Sequence, residues 1–336
     1  MVTNQKCIPL DSPAEWKNAL KGIKHAFAHT WENCHAMRLT TSFRTYLYCF
    51  KADNVRIVCP IAEREFEGHV DIVTPSGFSG FVGTGYCADF PQYWRQFARE
   101  RGYVCGYIGL NPIFGNKTSF DSNELYSYNN IYILDLTLSR EELFSKLSTG
   151  RKGQLKQWES ISAGLVLDKR ALKDFFLANY LEFFRQKGAT SAYAFSSATL
   201  ERLFALDSVV MVGAGPAESI EATTVFTYTP YAADYLFNIS LPEGRHHSTA
   251  LVWYGVNYFK SIGIPILNLG AVVHPDDGLA KFKERFGAKK LALSCLKQIY
   301  DSTTYANLCA RVGADPAGRT GYFPAYRSLG TLPSTV

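Results

Sequence analysis

Three side chains in the second half of the sequence could act as a general base. Glu221 and Asp234 lie in otherwise apolar segments with the pattern of β-strands, and carboxylates in apolar surroundings are better bases than carboxylates in water. His274, in the loop 273–277, is a third candidate because imidazole titrates near neutral pH. Each group also has a purely structural interpretation: an ion pair or an exposed strand face for the carboxylates, and a surface loop for the histidine.

A second group of chemically active side chains lies near the N-terminus. His25, His29, Cys34 and His35 fall within one short segment, and the first two have the helical i, i+4 spacing that can hold zinc. No glutamate stands between the two histidines, as the metalloprotease pattern requires, and no second cluster would complete a ligand set. We therefore predict that the chain holds no metal.

The elements that would position these groups follow the same order in both halves, at an offset of about 160 residues. In the first half we predict strands at 44–50, 55–63 and 69–73, a glycine-rich loop at 74–80, a helix at 89–101 and a strand at 103–109. In the second half we predict strands at 209–212, 218–228 and 231–239, a loop at 241–247, a helix at 248–261 and a strand at 265–269. Between them, we predict a hairpin-like pair of strands at 124–135 and a helix at 149–162. The repeated order indicates two copies of one α/β module.

Length, composition and charge fit this organisation. A chain of 336 residues is long enough for two domains, and 47% hydrophobic with 19% charged residues exclude wholesale disorder. The net charge of +5 is mild. It is compatible with a phosphorylated or anionic ligand but is too small to indicate a nucleic-acid-binding surface.

The sequence also bears on location. No apolar run reaches the roughly 18 residues that a membrane helix needs, and the polar N-terminus lacks the apolar region of a signal peptide. The eight cysteines form no Cys-x-x-Cys pair, so we expect reduced thiols. These features predict a cytoplasmic protein with no membrane span.

Four stretches of the sequence resemble one known family. The first two are Asn-Leu-Gly at 268–270 followed by Gly-Leu-Ala-Lys-Phe-Lys-Glu-Arg-Phe-Gly at 278–287, and the loop Thr-Pro-Ser-Gly-Phe-Ser-Gly at 74–80. The others are Asp-Leu-Thr at 135–137 with Arg-Lys at 151–152, and the segments 176–180 and 188–195. By their order and spacing along the chain, these stretches resemble FemAB-like transferases. Those are tandem GNAT-fold proteins that include the FemABX aminoacyl transferases and related cell-envelope acetyltransferases. The sequence departs from the family at Ala271 and Val272, where glycines are common, and at Phe282, near which many GNAT enzymes have a tyrosine general acid.

The resemblance implies the fold class. It is α/β, with two tandem GNAT-like (acyl-CoA N-acyltransferase) modules whose mixed sheets are flanked by helices. We place the first module at 1–138, with 301–336 packed on it, and the second at 139–300. The second module would carry the donor site, and the first would mainly shape the acceptor site.

The resemblance also implies a donor site. In a GNAT-type fold the pyrophosphate of coenzyme A lies on backbone N–H groups where the central strand meets the following helix. The matching residues here supply a cation, two imidazole donors and a helix cap, and they are Gly244, Arg245, His246, His247, Ser248 and Thr249. An ordinary solvated loop before a helix is the alternative, because only one glycine is present.

Lys283 is the candidate for stabilising charge during the reaction. The matching lysine of the FemABX relatives lies in the active-site cleft, where an ammonium can stabilise a developing oxyanion. The alternative is a solvent-facing lysine between Lys281 and Glu284 on an amphipathic helix.

For the acceptor, the resemblance points to aromatic and backbone groups in a cleft between the halves, contributed by Gly77, Phe78, Tyr193, Phe195 and Asn268. Plain strand packing is the alternative for Tyr193 and Phe195. Arg151, Lys152 and Lys156 form a basic helix edge that could meet phosphates, but we interpret it as a solvated face.

Together with these residues, the resemblance implies an N-acyltransferase that moves an acetyl or other acyl group from acyl-CoA to an amine. The acceptor would be a small molecule or a nucleotide-linked or lipid-linked sugar of cell-envelope synthesis. One alternative is a FemX-like aminoacyl transferase that uses aminoacyl-tRNA, although no strongly basic stripe supports tRNA binding. Another is a catalytically silent GNAT-like protein that binds a partner or metabolite.

Overall fold

The computed structural model describes residues 3–75, 77–115, 120–186, 194–216, 219–272, 278–319 and 321–330. The strands among them are β1 (Thr3–Pro9), β2 (Arg44–Ala52), β3 (Val55–Phe66), β4 (His69–Val73), β5 (Val82–Thr84), β6 (Tyr103–Gly109), β7 (Leu125–Asp135), β8 (Val209–Ala214), β9 (Ala222–Tyr228), β10 (Ala233–Ser240), β11 (Ile266–Ala271) and β12 (Lys289–Ile299). The helices are α1 (Pro13–Leu20), α2 (Trp31–Thr41), α3 (Phe90–Glu100), α4 (Arg140–Ser145), α5 (Thr149–Gln154), α6 (Trp158–Ala163), α7 (Lys169–Gln186), α8 (Ser197–Phe204), α9 (Ser248–Ser261), α10 (Gly278–Glu284) and α11 (Ser302–Arg311).

The described residues form two compact units. Unit 1 contains the chain up to Tyr128 and again from Ala292 onward, and unit 2 contains Asn129–Leu291. The chain changes unit inside β7 and inside β12, where no linker composition marks the change. The boundaries that we placed at 138 and 300 therefore lie further along the chain than these two points.

Each unit repeats the same strand order. In unit 1, β2, β3 and β4 pair antiparallel, β6 then pairs parallel to β4 after the helix α3, and β12 pairs antiparallel to β6. In unit 2, β8, β9 and β10 pair antiparallel, β11 pairs parallel to β10 after the helix α9, and β7 pairs antiparallel to β11. The repeated module predicted from the sequence is thus present, because parallel neighbours require a crossover and a helix supplies it in both units.

The helix α9 is the centre of the core of unit 2. Most of its side chains are buried, among them Leu251, Trp253 and Phe259. At Gly255 the helix approaches β9 so closely that a Cβ would lie 2.5 Å from Phe226 Cζ. This packing fixes the middle of α9 against β9.

Two local predictions are wrong. The segment 124–135 contains one long strand rather than a hairpin, and the side chain of Asn129 within that strand donates a hydrogen bond to the carbonyl of Val272. The helix predicted at 149–162 is two short helices, α5 and α6, and the glycines within α5 weaken a continuous helix there.

Unit 1 contains a buried histidine whose protonation opposes folding. His29 is fully buried, its carbonyl accepts a hydrogen bond from Trp16 Nε1 at 3.0 Å, and desolvation, aided by nearby His25, lowers its pKa to about 3. The unfolded chain binds this proton below about pH 6.5, whereas the folded chain does not. The stability that neutral His29 permits is therefore complete above that pH and falls as the pH drops toward 3.

We expect this histidine to cost about 2 kcal/mol of unfolding free energy between pH 7 and pH 5. Urea unfolding at the two pH values should show that the protein loses this much more stability than a His29→Gln variant. His69→Gln, which changes an exposed histidine, is the matched control and should behave as the parent. An equal pH dependence in all three proteins would show that His29 is not the group responsible.

Candidate functional site

The candidate site of unit 2 lies where the strands β10 and β11 stop pairing. They form a parallel pair at only two positions, Ala233 with Leu267 and Asp234 with Asn268. Just beyond, β10 is irregular between Tyr235 and Phe237. The register of β11 with β7 also shifts after Asn268. Irregular pairing on both strands leaves backbone N–H and C=O groups outside the ladder, as at many functional sites.

Asn268 links the two strands at this point. Its Nδ2 donates to Asp234 Oδ1 at 2.9 Å, and its Oδ1 accepts from the backbone N–H of Gly270 at 2.8 Å. Gly270 has a φ of +77°, a conformation that glycine adopts without strain. The predicted substrate residue Asn268 and the predicted base Asp234 are therefore brought together, and Asn268 holds the turn of backbone that follows.

Lys283 reaches the same turn from α10. It is only 3% exposed, whereas Lys281 and Glu284 are exposed. Its Nζ donates to the carbonyl of Ala271 and lies 5.8 Å from the centre of the Tyr132 ring. A Cβ on Gly270 would lie 3.7 Å from this Nζ, so Gly270 is in the immediate neighbourhood of the ammonium. The interpretation of Lys283 as a solvent-facing lysine is therefore wrong.

The predicted donor residues 244–249 do not form an open loop. Glu243–His247 form a 3-10 turn that runs directly into α9, and the N–H of Ser248 donates to the carbonyl of Arg245. Ser248 is consequently not the helix cap: its hydroxyl also donates to the Arg245 carbonyl, at 3.0 Å. Arg245 and His246 are exposed, and Thr249 is buried.

Gly244 and His247 in this turn contact Glu221, the residue just before β9. A Cβ on Gly244 would lie 2.4 Å from the Glu221 carbonyl oxygen, so only glycine fits. His247 Nε2 lies 3.6 Å from Glu221 Oε2. Desolvation, with a contribution from neighbouring His246, lowers the pKa of His247 despite this carboxylate. At neutral pH His247 is therefore an uncharged hydrogen-bonding partner rather than a cation.

The other predicted substrate residues have contacts within their own units. Gly77 and Phe78 belong to unit 1, where Asn111 Nδ2 donates to the Phe78 carbonyl at 2.7 Å. Phe195 belongs to unit 2 and packs against Phe237, with ring centres 5.8 Å apart. Tyr193 and His274 lie outside the described residues.

Two residues at the site were not predicted. The ring centre of Tyr132, in β7, lies 5.8 Å from the ammonium of Lys283, and Gly270 lies beside that ammonium. Gly270 could have been found, since it ends the Asn-Leu-Gly motif. Tyr132 sits in an ordinary strand pattern that carries no such signal.

Within the described part of the chain, no three His, Cys, Asp or Glu side chains are placed to hold a metal ion. None of the described helices is both long and apolar enough to cross a bilayer.

No protein-family model and no curated protein matches the sequence. A solved structure of FemX is similar over 90% of this chain and 99% of FemX, with a TM-score of 0.63 and 10% identity. The chain has a FemX-like fold. The predicted fold class, α/β with two like modules whose mixed sheets are flanked by helices, is thereby confirmed.

Two further structures share the FemX-like fold. The C-terminal DUF2156 domain of a putative lysylphosphatidylglycerol synthetase from Agrobacterium fabrum has a TM-score of 0.53 and 14% identity, covering 92% of this chain and 98% of that domain. L-PGS from Bacillus licheniformis has a TM-score of 0.53 and 13% identity, covering 86% of this chain and 92% of the other. At identities this low, structural similarity establishes the fold alone. The chemistry has to be argued from the residues of this chain.

Proposed function

We propose that this chain is an acyltransferase that moves an acyl group from an activated thioester or ester to an amine. The observation that carries the proposal is the buried ammonium of Lys283 beside Gly270, where β10 and β11 stop pairing. Acyl transfer passes through a tetrahedral oxyanion, and a fixed cation in a site shielded from water stabilises that charge strongly. The fold supports this assignment, since one similar structure is a putative lysylphosphatidylglycerol synthetase.

Within this proposal, the chain's own groups divide the work. Lys283 and backbone N–H groups outside the ladder hold the oxyanion, and Asp234 takes the proton from the attacking amine. When the tetrahedral intermediate collapses, the bond from the acyl carbon to the donor sulfur or oxygen breaks, and the thiolate or alkoxide that leaves takes up this proton. Asn268 keeps Asp234 and the backbone at Gly270 in register. Glu221 is a weaker base candidate because His247 is beside its carboxylate. His274 remains a prediction from the sequence.

Acyl-CoA is our first proposed donor. Arg245 and His246 project from the exposed side of the 3-10 turn that precedes α9, where they could neutralise a diphosphate. The acceptor would be an amine on a sugar or on a cell-envelope precursor, with Gly77, Phe78, Tyr193 and Phe195 as proposed contacts.

The donor site has a direct test. Arg245→Ala should weaken acetyl-CoA binding roughly tenfold in calorimetry, since it removes a charge-assisted contact. Arg170→Ala, which changes an exposed arginine at the start of α7, should bind as the parent does. If both variants match the parent, the diphosphate lies elsewhere.

A second donor, aminoacyl-tRNA, is favoured by the shape of the same turn. The 3-10 turn Glu243–His247 begins after Pro242, which has no N–H, and its first residue carries a carboxylate. The N-terminus of this turn is therefore a poor binding site for a diphosphate. An aminoacyl ester would need no such cradle.

Turnover distinguishes the two donors. The protein should release coenzyme A thiol from acetyl-CoA in the presence of a panel of amino sugars if the first donor is correct. Transfer of label from aminoacyl-tRNA to the same amines, with no thiol released, would establish the second. Tight binding of one donor with no transfer to any amine would favour a silent binding protein.

A further inference from the structure

Arg151 of α5 is held in one position by contacts to three elements of unit 2. Its Nη1 donates to Gln154 Oε1 at 2.8 Å and to the hydroxyl of Thr249, in the first turn of α9. Thr249 Oγ1 in turn donates to Gln154 Oε1 at 2.7 Å. The guanidinium carbon lies 4.5 Å from the ring centre of Phe282, which immediately precedes Lys283. The arginine is therefore fixed beside the start of α9 and beside the helix that carries Lys283.

In the part of the chain that the structure describes, no carboxylate pairs with the charge of this arginine. Among the residues that the structure describes, the groups bonded to its guanidinium are the neutral side chains of Gln154 and Thr249. Its Nε is shielded from solvent and makes no hydrogen bond within this part of the chain. Desolvation, and then the nearby positive charge of Arg285, lower the pKa of Arg151. A partly buried guanidinium without a counter-charge is unfavourable by itself, and binding an anion would relieve that cost.

We propose that Arg151 binds a phosphate group of the acyl donor, with its planar guanidinium on the Phe282 ring. The identification of the ligand as the donor rests on the proposed function; anion binding by Arg151 does not. Its Nη1 donates to Gln154 and Thr249, so a phosphate would be bound by the other nitrogens of the planar guanidinium. Arg285 adds a second positive charge to the same neighbourhood.

The position of Arg151 determines where a bound phosphate would lie relative to Lys283. Thr249 connects the arginine to the first turn of α9, where the helix dipole is positive. Phe282 connects it to α10, whose next residue is Lys283. A donor anchored here by its phosphate would place its acyl end within reach of the opening between β10 and β11. Acyl-CoA and aminoacyl-tRNA both carry such phosphates, so the shared chemistry is a phosphate ester.

The test measures the affinity of the full chain for inorganic pyrophosphate by titration calorimetry. We expect Arg151→Gln to weaken pyrophosphate binding about tenfold or more. Arg140→Gln is the matched control, because it removes an exposed arginine of the same unit that lies 3.8 Å from an exposed glutamate; it should leave the affinity unchanged. Arg151→Lys keeps the charge but not the fork and should give an intermediate affinity.

The outcomes separate this inference from the proposed function. Equal pyrophosphate affinity in the parent and in folded Arg151→Gln would overturn it, whether or not acyl transfer is seen. If Arg151→Gln does not fold, as its melting curve would show, parental affinity in Arg151→Lys overturns it instead. Loss of pyrophosphate binding in a protein that transfers no acyl group would support Arg151 and contradict the proposed function. With an active donor, we expect a raised KM and a nearly unchanged kcat in Arg151→Gln.

Discussion

Replacing Lys283 by methionine is expected to lower kcat for acyl transfer about 100-fold or more, with a smaller change in KM. Methionine keeps most of the volume of the buried side chain and removes only the ammonium, which lies beside Gly270 and donates to the Ala271 carbonyl. The loss falls on kcat because the oxyanion carries full charge only in the transition state. The measurement is the rate of transfer to an amine at saturating donor.

The control for this variant is Lys281→Met. Lys281 lies on the same helix but is exposed, so its replacement removes the same charge without touching the site. The melting temperatures of both variants should be recorded, since Lys283 also contributes a buried hydrogen bond. Parental kcat in a folded Lys283→Met protein would remove the lysine from the mechanism.

The largest expected effect on stability concerns Asp71 of β4. This fully buried carboxylate accepts hydrogen bonds from Arg64 Nε at 2.7 Å, from Arg327 Nε at 2.7 Å and from the hydroxyl of Tyr326 at 3.0 Å. Asp71→Asn would leave two guanidinium groups without their counter-charge. Breaking a buried ion pair in this way typically costs about 3–5 kcal/mol, so we expect a loss of that size in the free energy of unfolding.

Urea unfolding followed by tryptophan fluorescence measures this loss. Glu67→Gln is the control, because it breaks an exposed pair with Arg311 and should cost less than about 1 kcal/mol. Because Arg327 and Tyr326 lie in the last described segment, Asp71→Asn should also make that segment easier to cleave with protease. A stability within 1 kcal/mol of the parent, an allowance typical of exposed pairs, would show that the cluster does not hold the segment.

Local signals predicted much of the fold. The strand β4 and the helix α9 have the bounds expected from the sequence, because the alternation of apolar residues and the turn-forming residues beside them act over a few positions. The repeat was visible for the same reason: each copy has its own strands and crossover helix. Both wrong assignments, at 124–135 and 149–162, depended on whether polar or glycine residues end an element, which tertiary contacts decide.

Long-range contacts explain what the sequence did not reveal about the site. Lys283 follows the pattern of an exposed helix face, yet it is buried because α10 packs beside the turn at Gly270. Arg151 belongs to a basic run that we interpreted as solvated, and the structure places its guanidinium on Phe282, more than a hundred residues along the chain. Neither pairing leaves a local pattern. Asn268 and Asp234, by contrast, are adjacent because paired strands align them, which strand prediction can anticipate.

The most direct test of the proposed chemistry is a crystal structure with an unreactive donor analogue that keeps the acyl carbonyl. One analogue is acetyl-CoA with a methylene between sulfur and carbonyl, and the other is an amide-linked aminoacyl nucleotide. We predict that the carbonyl oxygen of the analogue that binds lies within hydrogen-bond distance of Lys283 Nζ, in the opening between β10 and β11. A carbonyl bound elsewhere, with Lys283 Nζ still donating to the Ala271 carbonyl, would contradict the assignment of this site to acyl transfer.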